Sequence, residues 1–343
     1  MRESHHVFEH LIAQCETREA VSVAVAFPCD EVSLTGAVEA ARGRLIVPVL
    51  VGPRAQILAT AGACGLDVSP YRIVDAEDDA DAAARAVALC RKAECAGLMK
   101  GSLHTDVLMH EAMQPGVGLR AQRRMSHVFV MDVPDYPKTL LITDAAINIY
   151  PTLEDKVDIV QNAIDLAHVL GIAQPKVAIL SAVETVTPKI TSTIDAAALC
   201  KMADRGQIRG GILDGPLAFD NAVSMKAAAI KHIVSPVAGQ ADILVVPDLE
   251  AGNMLAKQLE YLAEAEAAGV VLGARVPIVL TSRSDSAKAR LASCAVMAMV
   301  AHAQRTAKSG GPVKSGGHVK AGGHAKAGGH AKAGAAATTR DRG

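Results

Sequence analysis

Ser282, Arg283 and Asp285 stand almost side by side in VPIVLTSRSDSAKARLA, residues 276–292, and their types suit anion chemistry. A planar guanidinium presents a fork of donors that fits phosphate, and hydroxyls from Thr281, Ser282 and Ser284 add to it. The same residues also read as a helix start, with Ser282 as the cap and Asp285 closing a capping box three residues on. Both readings stand at this stage. A second cluster in GLMKGSLHTD, residues 97–106, holds Lys100, Ser102, His104 and Thr105. It combines positive charge with donors, or is a turn that Thr105 caps. Arg120, Arg123 and Arg124 are either anion ligands or a solvated face. Asp144 and Asn148 are polar residues inside the apolar LLITDAAINI, and Ser181, Glu184, Asp214, Asp220, Asn221 and Asn253 follow later apolar runs.

Such residues act together only if strand ends carry them. Apolar, β-branched runs at 21–27, 45–51, 71–74, 126–132, 140–149, 175–183, 211–213, 243–247 and from 276 read as strands. Helical patterns over 35–42, 54–64, 76–95, from 105, 151–171, 192–205, 221–232 and 253–268 separate them. Strands alternating with helices predict parallel βαβ units and a doubly wound α/β fold. In such sheets ligands gather where strands end and helices begin, because free amides and the helix dipole favour anions there. Five polar strand-to-helix turns meeting at one sheet edge would make a polar cleft. There is no G-x-x-x-x-G-K-[ST] loop and no G-x-G-x-x-G after the first strand, which disfavours nucleotide hydrolysis and ordinary dinucleotide binding.

Composition narrows the class further. At 343 residues, half of them hydrophobic, the chain suggests about two domains with a core of Ala, Val, Leu and Ile. Four Tyr, four Phe and no Trp argue against base-stacking modules, and a formal charge of -1 gives no field to steer polyanions. Seven cysteines, odd in number and without C-x-x-C spacing, read as reduced and mostly buried. No apolar run of membrane-spanning length and no secretory leader pattern is present, so the expectation is a soluble cytoplasmic protein with no membrane partner.

From about residue 307 the sequence changes in kind. A six-residue repeat, roughly K-[SA]-G-G-H-[VA], spaces His318, His324 and His330 evenly between lysines, and from Ser309 six Lys or Arg face one acidic residue. Gly-rich, apolar-poor sequence cannot bury enough surface to fold alone, so residues 307–343 are expected to be a disordered tail. Its histidines would suit a transition metal or an anionic surface, against the simpler reading of a solvated tail.

Taken in order, LMKGSLHTD, SHVFVMDVP, ITDAAINIYPTLEDK, PKVAILSAVETVTPKI, DGPLAFDNAVS, AGQADILVVPDLEAGNMLAKQLEYLA and VPIVLTSRSDS resemble the phosphate acetyltransferase and phosphate butyryltransferase family over about residues 21–304. The resemblance implies two doubly wound α/β domains with a cleft between them, like the isocitrate and isopropylmalate dehydrogenases. The first domain would comprise 1–138 plus 287–306, and the second 139–286. It implies acyl-CoA and inorganic phosphate as substrates, coenzyme A being a substrate rather than a cofactor, with no metal, no nucleic acid partner, and a homodimer. Ser282 would hydrogen-bond the reacting carbonyl, Arg283 would hold phosphate, and Asp285 would accept the thiol proton. Lys100, Ser102, His104, Thr105, Arg124, Asp144, Asn148, Asp220 and Asn253 are the substrate-binding candidates. The acetyl branch carries its thiol-contacting aspartate later, where this chain has Ala289, and the S-R-S-D-S run is closer to the butyryl branch. Two other classes compete: an NAD-dependent decarboxylating dehydrogenase of the related fold, which needs paired metal-binding aspartates, and a non-catalytic acyl-CoA-binding regulatory module.

Overall fold

The computed structural model describes residues 6–280 and 285–309. Helix α1 (Val7–Glu16) precedes regular strand–helix units: β1 (Val21–Ala26), α2 (Glu31–Arg42), β2 (Ile46–Val51), α3 (Arg54–Ala63), β3 (Arg72–Val74), α4 (Asp79–Arg91), β4 (Gly97–Lys100) and α5 (Thr105–Met113). Strands form where apolar residues run unbroken, since helices cover both faces. Helices begin where a short carboxylate can take a free amide: Asp30 accepts from Ser33 N and Asp78 from Asp81 N, both at 2.8 Å.

Then come β5 (Ser126–Asp132), β6 (Leu140–Thr143), α6 (Leu153–Val169), β7 (Lys176–Leu180), α7 (Thr191–Asp204), β8 (Ile212–Leu217), α8 (Phe219–Val223) and α9 (Met225–Ile230). The chain closes with β9 (Ile243–Val245), α10 (Leu249–Leu262), β10 (Glu266–Leu272), β11 (Ile278–Val279) and α11 (Ala287–Ser309). Thr152 and Asp155 form the capping box that starts α6.

All the described strands join one mixed sheet in the order β3-β2-β1-β4-β11-β10-β5-β6-β9-β7-β8. The block from β3 to β11 is parallel, and so is the block from β6 to β8. Between them β10 and β5 are antiparallel to each other and to their outer neighbours. Three reversals make the two parallel blocks run in opposite directions. The turns after β7, β8 and β9 therefore gather on one edge and those after β1, β4 and β11 on the other, which corrects the expectation of a single polar edge.

Four elements differ from the sequence patterns. The strand expected over 140–149 ends at Thr143, and Asp144 and Asn148 lie in the loop beyond it. The helix expected over 253–268 stops at Leu262, and Glu264, at φ 55°, turns the chain into β10. The strand expected over 211–213 continues through Asp214-Gly215-Pro216 as β8, with a cis bond before Pro216. The helix expected over 221–232 is divided at Ser224, whose hydroxyl accepts from Ala227 N at 3.2 Å and starts α9.

Helix α11 lies against the first block rather than beside the second-block strands that precede β10. Met297 packs where a Cβ on Gly97 of β4 would come within 2.7 Å of its sulfur. Gly269 N of β10 donates to Ser293 Oγ at 3.0 Å, and Cys15 Sγ of α1 reaches Ala295 O at 3.4 Å. Ala292 and Cys294 to Ala298 are buried throughout.

Candidate active site

Ser282 and Arg283 lie outside the described residues, but both flanks of their turn are placed. On the strand side Val279 pairs with Met99 of β4, and Ala26 of β1 pairs with Lys100, so three strand ends stand next to one another. On the helix side Ser286 Oγ accepts from Ala289 N at 3.0 Å, and α11 begins at Ala287. The cap is therefore Ser286, and Asp285 precedes the helix instead of closing a box inside it. Asp285 is half-buried and its carbonyl accepts from Arg290 Nη1 at 2.5 Å.

Beside this turn, the loop after β4 is bound tightly to its own backbone. Lys100 is buried, and its ammonium donates to Gly101 O at 3.2 Å and Leu103 O at 3.1 Å. Ser102 Oγ donates to Phe27 O at 2.8 Å and accepts from Cys29 N at 3.3 Å, tying the β4 and β1 loops together. Position 101 must be glycine, because a Cβ would lie 2.4 Å from the carbonyl oxygens of Ala26 and Phe27. His104 is exposed at the start of α5 with no capping side-chain bond, and Thr105 is the half-buried first helical residue. Burial pushes the nearby Cys29 thiol up to about 11, so it remains protonated at neutral pH and is a poor nucleophile.

Asp144, Asn148 and Arg124 come together at the carboxyl end of β6. Asp144 Oδ1 accepts from Ala146 N at 3.0 Å and Ile147 N at 3.1 Å, while Oδ2 accepts from Asn148 N at 3.2 Å and Asn148 Nδ2 at 2.5 Å. Burial raises the Asp144 pKa against the opposing pull of these hydrogen bonds. Asn148 also donates to Met125 O at 2.9 Å and accepts from Arg124 Nε at 2.5 Å. Arg124 completes the chain through Nη1 to Asp155 at 2.9 Å, and its backbone N–H donates to Asp158 at 2.8 Å. Asn253 joins from α10 by donating to Ala145 O at 3.3 Å.

Asp155 and Asp158 are members of this network that the sequence did not single out. For Asp155 the T-x-x-D spacing from Thr152 was the available signal; for Asp158 there was none. Arg123 pairs with Asp165 of α6.

Asp220 belongs to neither group. It pairs with Lys231 at 3.2 Å, and Lys231 also meets Glu184 at 3.4 Å, to which Asn221 Nδ2 donates at the same distance. The nearby turns after β7 and β9 border a cavity of about 650 Å³ lined by Leu180, Ser181, Phe219, Val246, Pro247 and Leu255 among others. Its walls are chiefly apolar, where polar turn residues had suggested a polar cleft. Among the described residues no group of three His, Cys, Asp or Glu could hold a metal ion, and no helix is long and apolar enough to cross a membrane.

Comparison with known proteins identifies the family. The family model for phosphate acetyl/butaryl transferase matches residues 80–298. The chain is 62% identical over 301 residues to the phosphate acetyltransferase of Rhizobium meliloti, covering 88% of this chain and 95% of that protein. It is 40% identical over 294 residues to the phosphate butyryltransferase of Clostridium acetobutylicum, covering 86% and 98%. The crystal structure of a branched-chain phosphotransacylase from Enterococcus faecalis V583 superposes with a TM-score of 0.72 at 31% identity, covering 82% of this chain and 99% of that one. A 4-hydroxythreonine-4-phosphate dehydrogenase from Klebsiella pneumoniae, at TM-score 0.52 and 13% identity over 83% of this chain and all of that one, shares the fold alone. A family model matched over residues 80–298, with relatives 62% and 40% identical over most of their length, makes the chain a member of the phosphate acetyl/butyryl transferase family.

Proposed function

We propose that the chain catalyses reversible transfer of a short acyl group, acetyl or butyryl, between coenzyme A and inorganic phosphate. The observation that carries this reading is the 62% identity to a phosphate acetyltransferase across 95% of that protein. A phosphate oxygen attacks the thioester carbonyl, a C–O bond forms, the C–S bond breaks, and the electron pair leaves on sulfur. In a ternary complex no acyl-enzyme is needed, and holding both substrates in one cleft supplies much of the rate. The high pKa of buried Cys29 fits that route.

Ser282 donates to the carbonyl oxygen as negative charge develops, and Arg283 grips phosphate with two parallel N–H groups. In the reverse direction Asp285 accepts the thiol proton as sulfur attacks the acyl phosphate. Lys100 and Ser102 shape the loop beside this turn, and His104 and Thr105 open α5 next to it. Arg124, Asp144, Asn148 and Asn253 form the β6 network, with Asp220 outlying. The substrates occupy a cleft between a first domain of 1–138 plus 287–306 and a second of 139–286, arranged as in the isocitrate and isopropylmalate dehydrogenases. The packing of α11 on the first block supports that division. The working form is a cytoplasmic homodimer that uses coenzyme A as substrate and needs no cofactor.

The test is CoA release from acetyl-, butyryl- and longer acyl-CoAs, with and without phosphate. Phosphate-dependent release from at least one short acyl-CoA is expected, and its absence from all of them refutes the reading. In the same assay Arg283→Lys raises the phosphate KM by about tenfold or more, because a point charge replaces the fork. An unchanged phosphate KM removes Arg283 from its role.

A further inference from the structure

We propose that the cavity at the amino ends of β4 and β11 is a binding site for a small molecule carrying linked phosphate groups, held by Arg91, Arg275 and Arg305. The cavity measures about 750 Å³, a size typical of small-molecule sites. Cys95 and Ala96, just before β4, and Val276, just before β11, are among its walls. The carboxyl ends of the same strands, at Lys100 and Val279, face the opposite way. The four residues of β4 hold the two ends about 13 Å apart, so one phosphate group cannot serve both.

The three arginines come from three parts of the fold. Arg91 is in the last turn of α4, Arg275 is in the turn between β10 and β11, and Arg305 is on α11. The first two are fixed through one loop. Arg275 N donates to Leu119 O at 2.9 Å, Arg120 bridges Ala274 beside it, and Arg91 Nη1 donates to Gly118 O at 3.4 Å. Gly273, at φ 81°, turns the chain out of β10 where a Cβ would lie 2.2 Å from Arg124 O. Groups already held in place lose little freedom when a ligand arrives.

The charge of this rim is unlike that of the surface at large. Up to residue 308 the chain has 29 Lys and Arg against 35 Asp and Glu, yet the described residues lining the cavity include no acid. Glu94, next to two of them, pairs with Arg72 at 2.9 Å, and Asp165 of α6 pairs with Arg123. Among the described residues Arg91 and Arg275 form no ion pair. Like charges gathered around one opening repel each other and gain from an anion that meets them all. Linked phosphates can do so, offering each guanidinium a pair of oxygens, whereas a single phosphate spans fewer of them. Small apolar walls, Ala93, Ala121 and Ala274, together with the Gln304 amide, leave space for an organic body such as a nucleoside.

The experiment titrates the full-length chain calorimetrically with ATP, tripolyphosphate and inorganic phosphate, without divalent cations. At least one of the first two should bind with a Kd on the order of 0.1 mM or tighter, and inorganic phosphate at least about tenfold more weakly. Tighter binding of ATP names a nucleotide as the source of the phosphates, and equal binding names free polyphosphate. Arg275→Glu should weaken binding by about 50-fold or more and Arg91→Ala by about five- to tenfold, both leaving phosphate-dependent CoA release unchanged. Ligand should also slow amide hydrogen exchange over 91–96, 273–277 and 301–307, a footprint that needs no variant and no turnover. A chain inactive toward every acyl-CoA would therefore refute the proposed function and leave this site to its own test. No binding up to about 5 mM, inorganic phosphate bound as tightly as tripolyphosphate, or a footprint elsewhere overturns the proposal. So does binding that survives Arg275→Glu, which would put the phosphates on the basic tail or in the CoA site.

Discussion

The loops that end β4 and β6 are built on opposite charges. After β4, buried Lys100 turns its ammonium onto two carbonyls, Gly101 O and Leu103 O. After β6, buried Asp144 turns its carboxylate onto three backbone amides and the Asn148 side chain. Each charge matches the backbone groups that its turn leaves bare: carbonyls in one, N–H groups in the other. A buried charge at a strand end therefore has backbone to satisfy before it can serve a substrate. The loops differ in their neighbours. The Lys100 loop adjoins the strand that leads into Ser282 and Arg283, whereas the Asp144 loop passes its hydrogen bonds to Asn148, Arg124 and Asp155.

If that contrast is right, Asp144→Ala should be the more damaging change. It strips four donors of one acceptor group and should destabilise the fold by about 3–5 kcal/mol in urea unfolding. A loss under about 1 kcal/mol would mean that water replaces the carboxylate and the network is not structural.

The β6 region should also respond to acid through His127, whose carbonyl accepts from Thr143 Oγ1 at 2.8 Å. Burial lowers the His127 pKa to about 4. The unfolded chain then binds the proton first as pH falls, so stability is full above about 6.5 and is lost between there and about 4. The loss amounts to roughly 3 kcal/mol. Unfolding measured across that window should show the slope in the wild type and lose it in His127→Gln; an identical slope in both would place the titration elsewhere.

Lys100→Met should have the smallest effect on stability, about 1–3 kcal/mol, because two carbonyls lose a donor while the stem still fills its space. If its destabilisation exceeded that of Asp144→Ala, the ranking of the two loops would be reversed.

The first parallel block was legible nearly to the residue. Expected strands at 21–27 and 45–51 correspond to Val21–Ala26 and Ile46–Val51, because burial on both faces leaves an unmistakable apolar run. The most consequential omission was β10, whose EAAGVVL continues the Ala and Glu pattern of α10. Only the positive φ of Glu264 breaks it, at a residue type that does not advertise a left-handed turn. Without β10 the reversals of the sheet were invisible, and so was the separation of the strand-end turns onto two edges. At the site, Ser282, Arg283 and Asp285 are candidates from residue type and family resemblance, and Ser282 and Arg283 lie outside the described residues. The Arg124–Asn148–Asp155 contacts join residues far apart in sequence, and no local pattern encodes them. Asp144 was noticed as polar, but its partners were not, since backbone amides carry no sequence signature.

The place of β11 in the sheet also constrains how the chain can be made. Strand β11 lies between β4 and β10, so the four strands formed first keep their β4 edge open until Ile278 and Val279 leave the ribosome. An exposed strand edge is a template for wrong pairing, and long-range strand contacts form slowly. Closure thus waits for nearly the whole folded sequence, and α11 must follow at once to cover Gly97 and the neighbouring core. A chain stopped before residue 276 would carry most of its secondary structure and still be unable to join its two blocks, making the last strand and helix the step that commits the molecule to its native state.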